Sequence, residues 1–151
     1  MNPLDLPKSL RLIQNKWTRF YTCFLNGRDL TLPQFTLLLL VADEGPLPMG
    51  EIARKLYLAS SSVTHLVDQL EMKKMIERKQ NHKDRRSYRI CLLKKGEEIV
   101  EQVRRFTVDR LSSEVREWPE SEMRTVGKFF ETMTRVVDRL IDETSVKGPR
   151  P

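Results

Sequence analysis

The sequence predicts a mainly α-helical protein with one small pair of β-strands, and three observations carry that reading. Apolar residues recur at three- and four-residue steps through most of the 151 residues, the period of helices with one buried face. The pattern switches once to two-residue alternation, at Tyr88, Ile90 and Leu92, the period of a half-buried strand. Charge is unevenly spread: Lys73 to Lys95 holds ten Lys/Arg and two Asp/Glu, a balance of +8, whereas the whole chain carries +6 and the remainder therefore −2. Positive charge concentrated beside a polar helix points to nucleic acid.

Composition sets the frame. Hydrophobic residues at 39% and charged residues at 32% describe a folded, charge-rich chain, long enough for a real core. One domain is expected over 1–144, with a disordered tail at 145–151. No apolar run approaches the roughly 20 residues needed to span a bilayer. The start, Met1-Asn2-Pro3-Leu4-Asp5, lacks a basic leader. Cys23 and Cys91 make no disulfide framework, so a reducing cytoplasm is the expected setting.

Asp5 can cap a first helix running to about Leu25, with Leu10, Ile13, Trp17, Phe20, Tyr21 and Phe24 on its apolar side. Asn26-Gly27 breaks it. Thr31 and Gln34 form a capping-box pair, with Leu30 and Phe35 placed as a hydrophobic staple. The helix they start is apolar almost all round through Leu40 and Val41, which predicts a central, buried element. Gly45-Pro46-Leu47-Pro48 is a hard turn. A short helix from Met49 to Leu56 follows, with Ile52, Ala53 and Leu56 inward. Ser60 or Ser61 can cap the next, whose Val63, Leu66, Val67 and Leu70 sit at i, i+3, i+4 and i+7. Its opposite face carries Ser61, Thr64, His65, Asp68 and Met72, a small polar surface shaped to enter a major groove.

Met75 to Lys79 and Ser87 to Leu92 read as paired strands around a seven-residue basic loop from Gln80 to Arg86. Such a loop is longer than a tight hairpin needs and reaches outward. A long helix is expected from Lys94 to about Arg116, with Ile99, Val100, Val103, Phe106 and Leu111 on one side. Trp118-Pro119 separates it from a last helix. There Val126, Phe129, Phe130, Met133, Val136, Val137, Leu140 and Ile141 form a sustained apolar stripe. With the middle segment closing its own core, the end helices keep unsatisfied apolar surface, which a homodimer would bury.

Leu30-Thr31-Leu32-Pro33-Gln34-Phe35, Asp68-Gln69-Leu70-Glu71, Ile76-Glu77-Arg78 and, above all, Asp84-Arg85-Arg86 followed by Leu92 and Lys95-Gly96 resemble the MarR (multiple antibiotic resistance regulator) family. The resemblance covers most of the chain in layout. It implies a winged helix-turn-helix fold in an intertwined homodimer through the N- and C-terminal helices. About 31–92 would be the DNA-binding lobe, and about 5–25 and 94–144 the dimerisation helices. Three positions depart from the family pattern. Met75 stands where Gly usually closes the recognition helix, Leu93 replaces a capping Thr, and Pro48 stands at a common Ser/Thr cap.

On that reading the function is sequence-specific binding of double-stranded DNA at a pseudo-palindromic operator, as a repressor relieved by a small-molecule effector. Ser60, Ser61, Ser62 and Thr64 can donate to phosphates or bases, and the helix N-terminus favours an anion. His65 can contact a purine edge or phosphate, and Asp68 can accept from a cytosine amino group. The resemblance places Arg86 in a minor groove, with Asp84 orienting its guanidinium. Lys79, Lys83, Arg85 and Arg89 would contact the backbone. Trp17, Phe20, Tyr21 and Phe35 are the expected effector-lining residues, and read equally well as core.

Two alternatives stand beside this. One is a winged helix that contacts protein without binding DNA, which leaves the basic loop unexplained. The other is a redox-sensing regulator acting through Cys23. Some relatives sense peroxide nearer the start of the first helix, so Cys23 is expected to be a small buried thiol. No metal-ligand spacing, cofactor motif, membrane span or catalytic set is visible.

Overall fold

The computed structural model of the chain describes the backbone of residues 5–81 and 84–147, and the side chains of 5–80 and 88–144. Asp5 caps α1 (Leu6–Leu25), its Oδ1 accepting from the Lys8 N–H at 3.2 Å. Thr31 opens α2 (Leu32–Glu44) with the reciprocal capping box: the Gln34 N–H donates to Thr31 Oγ1 at 3.4 Å, and the Thr31 N–H to Gln34 Oε1 at 3.1 Å. The near-uniform apolarity of α2 is satisfied by its position, with Phe35, Leu37, Leu38 and Val41 all buried.

After the turn at Gly45 come β1 (Leu47–Pro48), α3 (Met49–Lys55) and α4 (Ser60–Met72), then β2 (Ile76–Asn81) and β3 (Asp84–Leu92). The three strands form one antiparallel sheet in the order β1-β3-β2, with Leu47 opposite Ile90 and Arg78 opposite Ile90 on the other side. Next is α5 (Lys94–Arg104), continuing through a π turn (Arg105–Asp109) into α6 (Arg110–Val115). Last comes α7 (Glu120–Lys147).

The chain divides into two compact units, 1–105 and 106–151. The first holds the core, in which α2, α3, α4, the sheet and α5 contribute Phe35, Leu38, Ile52, Val63, Leu70, Ile76, Ile90 and Val100. Burying this set is the main stabilising term of the unit. The second unit contains α6 and α7. Within it the Phe129 and Phe130 rings meet edge-on at 5.7 Å, and the Arg110 guanidinium lies 4.9 Å from the Phe106 ring centre. Phe106, Leu111, Phe130, Val137 and Leu140 are exposed on the single chain.

Several expectations need correction. The hairpin is longer than predicted: β2 runs to Asn81 and β3 starts at Asp84, with a register irregularity at Gln80/Asn81. Polar composition signals exposure, not the loss of a ladder, and cross-strand pairing satisfies the backbone of such an arm. Tyr88, expected inward, is half-exposed, because the arm has left the core at that point.

Neither Ser60 nor Ser61 caps α4. Extended Ala59 is the cap residue, no side chain caps the helix, and Ser60 already lies inside it. The left-handed residue that closes α4 is Lys74 (φ 57°), not the position of Met75. The Met75 N–H donates to Leu70 O (3.0 Å) and the Lys74 N–H to Glu71 O (2.9 Å), a Schellman ending achieved without glycine. The π turn interrupts what reads as one long helix. The last helix continues to Lys147, into the stretch expected to be disordered; 148–151 lie outside the described residues. Cys23 is exposed, not buried, since only the side of α1 bearing Phe20, Tyr21, Phe24 and Leu25 packs on the core and Cys23 points off it.

Candidate nucleic-acid interface

The polar side of α4 is built by the apolar one. Val63, Leu66, Val67 and Leu70 anchor the helix on the core, and this turns Ser60, Ser61, Ser62, Thr64, His65 and Asp68 to the surface, all exposed. The Thr64 hydroxyl donates to Ser60 O at 3.0 Å. With no side chain capping the helix, its first-turn amides are available to an anion. That availability follows from a serine-rich start in which the serines sit one position too late to cap.

A second layer holds this face in place. The Arg78 guanidinium, on β2, bonds both Asp68 and Glu71 of α4, and the Arg78 N–H donates to Glu71 Oε1 at 3.2 Å. The hydrogen bond that the guanidinium donates to Asp68, with added attraction from Glu71, raises its pKa above the ordinary value. Asp68 is thus engaged by the sheet, and the difficulty of a carboxylate facing phosphates is largely removed by its partner. Behind α4 a polar chain links His65, Gln69, Gln34 and Lys73. Gln34, the one buried polar residue among those described, accepts from Lys73 Nζ at 3.2 Å and donates to Gln69 Oε1 at 2.6 Å.

From sequence, Arg78, Glu71 and Gln69 enter only as parts of the family motifs, with no role at the site assigned to them. Their signal was present as two acids three residues apart on α4, followed by an arginine at the base of the hairpin. Gln34 enters from sequence as a capping residue and as part of a family motif, with no link to α4.

Alternation along β2 puts Arg78 toward α4 and therefore Glu77 and Lys79 on the other face. Lys79 lies directly across from Arg89 on that face, and its ammonium pairs with Glu77 at 2.7 Å, which raises its pKa. These two predicted contacts are brought together with each other but not with the α4 face. The remaining wing residues proposed for DNA, Lys83, Asp84, Arg85 and Arg86, have side chains outside the described residues.

Trp17, Phe20, Tyr21 and Phe35 do assemble. Trp17 stacks on Tyr21 at 5.8 Å and meets Phe20 edge-on at 5.7 Å, while Tyr21 lies 5.7 Å from Phe35. Partial burial raises the Tyr21 pKa. The cluster lines neither described cavity. One cavity, of about 680 Å³, lies between the end of α2, the Lys79–Cys91 face of the hairpin and α5, with Lys94, Glu97, Glu101 and Arg104 on its wall. The other is bounded by the end of α1 and the α1–α2 turn, with Cys23 at its edge. Among the described residues no cluster of His, Cys, Asp and Glu is placed to hold a metal, and no helix is long and apolar enough to cross a membrane.

A short helix, a turn and a second helix with an exposed polar face, followed by a basic antiparallel hairpin, define a winged helix-turn-helix protein. Residues 30–88 match the model of the MarR family. The chain is 37% identical over 99 residues to the helix-turn-helix-type transcriptional regulator YsmB of Bacillus subtilis, spanning 66% of this chain and 68% of that protein. A MarR family protein from Bacillus stearothermophilus superposes with a TM-score of 0.73 at 29% identity, over 89% of this chain and 94% of the other. Streptococcus pneumoniae FabT, solved in complex with DNA, has the same fold at a TM-score of 0.79 and 22% identity, over 89% and 96%. The chain belongs to the MarR family, whose members are transcriptional regulators and not enzymes.

Proposed function

We propose that this chain is a homodimeric regulator that binds a pseudo-palindromic operator in double-stranded DNA. Helix α4 enters the major groove and the basic hairpin lies against the neighbouring backbone and minor groove. The observation that carries the reading is the exposed face of α4: small hydroxyl residues at an uncapped helix start, held against the base of a hairpin that concentrates the chain's positive charge. A protein-contact module has no use for that charge. Residues 5–25 and 94–144 supply the dimerisation helices, supported by the exposed apolar residues of α6 and α7. Repression relieved by a small molecule is the mode that the family resemblance implies. The mixed-charge cavity beside α5 and the aromatic cluster on α1 are the two places where an effector would act.

Operator sequences are obtained by selecting genomic fragments with the purified protein, and affinity is titrated by fluorescence anisotropy at several salt concentrations. Arg86→Ala is expected to cost roughly 1–3 kcal/mol on the operator. Lys83→Ala is expected to weaken specific and scrambled duplexes alike and to lower the salt slope by about one per subunit. An Arg86→Ala protein with parental operator affinity would return the hairpin to the protein-contact reading. A second reading is favoured by one observation, the exposure of Cys23: regulation by thiol oxidation, tested by peroxide treatment of the parent and of Cys23→Ser.

A further inference from the structure

We infer that His65 reads the acceptor edge of a base, and that an amide relay anchored on buried Gln34 behind α4 decides this by holding its imidazole in one tautomer. The inference rests on the DNA-binding reading above and adds which kind of group the ring presents to the groove.

The relay starts from two groups that can only donate. The Thr31 backbone N–H and the Lys73 ammonium both reach Gln34 Oε1, at 3.1 and 3.2 Å. Reversing that amide would set an NH₂ group against two donors, so the oxygen position is fixed by chemistry. Lys73 is itself held by Asp29, through its carboxylate at 3.4 Å and its carbonyl. Gln34 is 2% exposed, so a mismatched amide there has little water to turn to.

With its oxygen committed, Gln34 Nε2 must donate, and Gln69 Oε1 receives it at 2.6 Å. Gln69 Nε2 is then a committed donor, and it stands 2.8 Å from His65 Nε2. That contact is a hydrogen bond only when His65 Nε2 carries a lone pair, which puts the ring proton on Nδ1. His65 is exposed on the same face as Thr64 and Asp68, and its Nδ1–H has no partner among the described residues. Asp68, the carboxylate on the same face, is occupied by Arg78.

A lone N–H donor is satisfied by a purine N7, a guanine O6 or a thymine O4. Cytosine offers only its amino group in the major groove and leaves the donor unmet. His65 therefore rejects cytosine at one position of each half-site, by roughly 5- to 150-fold in affinity. Gln69, Gln34 and Lys73 are positioning residues: they touch no base, yet they set which bases are accepted.

The direct test is long-range ¹H–¹⁵N NMR of the imidazole in the full-length protein without DNA. Recorded at a pH high enough for the ring to be neutral, the expected result is Nε2 unprotonated and the proton on Nδ1. Gln69→Glu keeps an acceptor for Gln34 but turns an acceptor toward His65, so Nε2 becomes protonated. In parallel, parent, His65→Ala and Gln69→Leu are run through selection on randomised duplexes. His65→Ala and Gln69→Leu are expected to relax the rejection of cytosine at the same base pair, the second by freeing the tautomer. A parental ring protonated at Nε2 overturns the inference without recourse to any variant. So does a Gln69→Leu protein that rejects cytosine as the parent does. A parent that enriches no sequence overturns the DNA-binding reading itself, whatever the tautomer.

Discussion

Gly96 tests the packing of α5 on the turn that follows α4 with a single methyl group, because two effects of opposite sign meet there. It lies in the first turn of α5, where a Cβ would stand 2.3 Å from Met75 O, 3.2 Å from Met75 C and 3.3 Å from Leu92 Cδ2. The leucine methyl can move aside. The Met75 carbonyl cannot, since it is backbone and accepts the Leu93 N–H at 2.9 Å. Carbon and oxygen in contact need about 3.3 Å, so the backbones must part by about 1 Å. Overpacking of this kind costs about 1–3 kcal/mol, and losing the Leu93–Met75 bond adds about 1 kcal/mol. Replacing glycine inside a helix returns up to about 1 kcal/mol. Gly96→Ala is therefore expected to be net destabilising by about 1–3 kcal/mol. Urea unfolding at fixed protein concentration measures it, with an unchanged m-value and a midpoint lowered by roughly 1 M. Gly50→Ala, where a Cβ meets nothing within 4 Å, is the control and should gain a few tenths up to about 1 kcal/mol. A Gly96→Ala protein as stable as the parent would mean that the Met75 contact is not closed in solution.

The Arg78 pair makes a second test: Arg78→Met and Asp68→Asn, combined in a double-mutant cycle, should show a coupling of about 1 kcal/mol in stability, reduced by salt because Asp68 is half-exposed. Strict additivity would mean that the two groups do not pair. Phe130→Glu and Leu140→Glu place charges in the exposed stripe of α7 and should lower the dimer fraction in sedimentation while leaving the 1–105 unit folded by circular dichroism; a parent that sediments as a monomer at tens of micromolar refutes the dimer outright. Cys23→Ser should leave operator affinity within about twofold of the parent, since the thiol belongs to neither α4 nor the hairpin. A tenfold loss in anisotropy titrations would give Cys23 a part in binding.

Much of the fold is local, and local physics is written in sequence. Asp5, the Thr31–Gln34 box and the stop at Gly45 set the bounds of α1 and α2 through short-range hydrogen bonds. The i, i+3, i+4 spacing of Val63, Leu66, Val67 and Leu70 decided which side of α4 is buried before any neighbour was known. The excess of positive charge at the hairpin needs no coordinates at all.

What only the tertiary structure decided lies between segments distant in the chain. Gln34 to Gln69 spans 35 residues and Lys73 to Gln34 spans 39, and no periodicity signals that two amides and an ammonium will share one half-buried site. The same holds for Arg78, whose guanidinium looks like one more surface charge until the sheet turns it onto Asp68 and Glu71. The start of α4 shifted by a single residue, enough to change Ser60 from cap to first-turn residue, because Ala59 already satisfies the geometry of a cap with its carbonyl. Sequence determined which faces exist and what charge they carry. Packing decided which polar groups on those faces are committed to one another and which remain open to a partner, because a buried donor or acceptor must be matched by whatever the fold brings within about 3 Å.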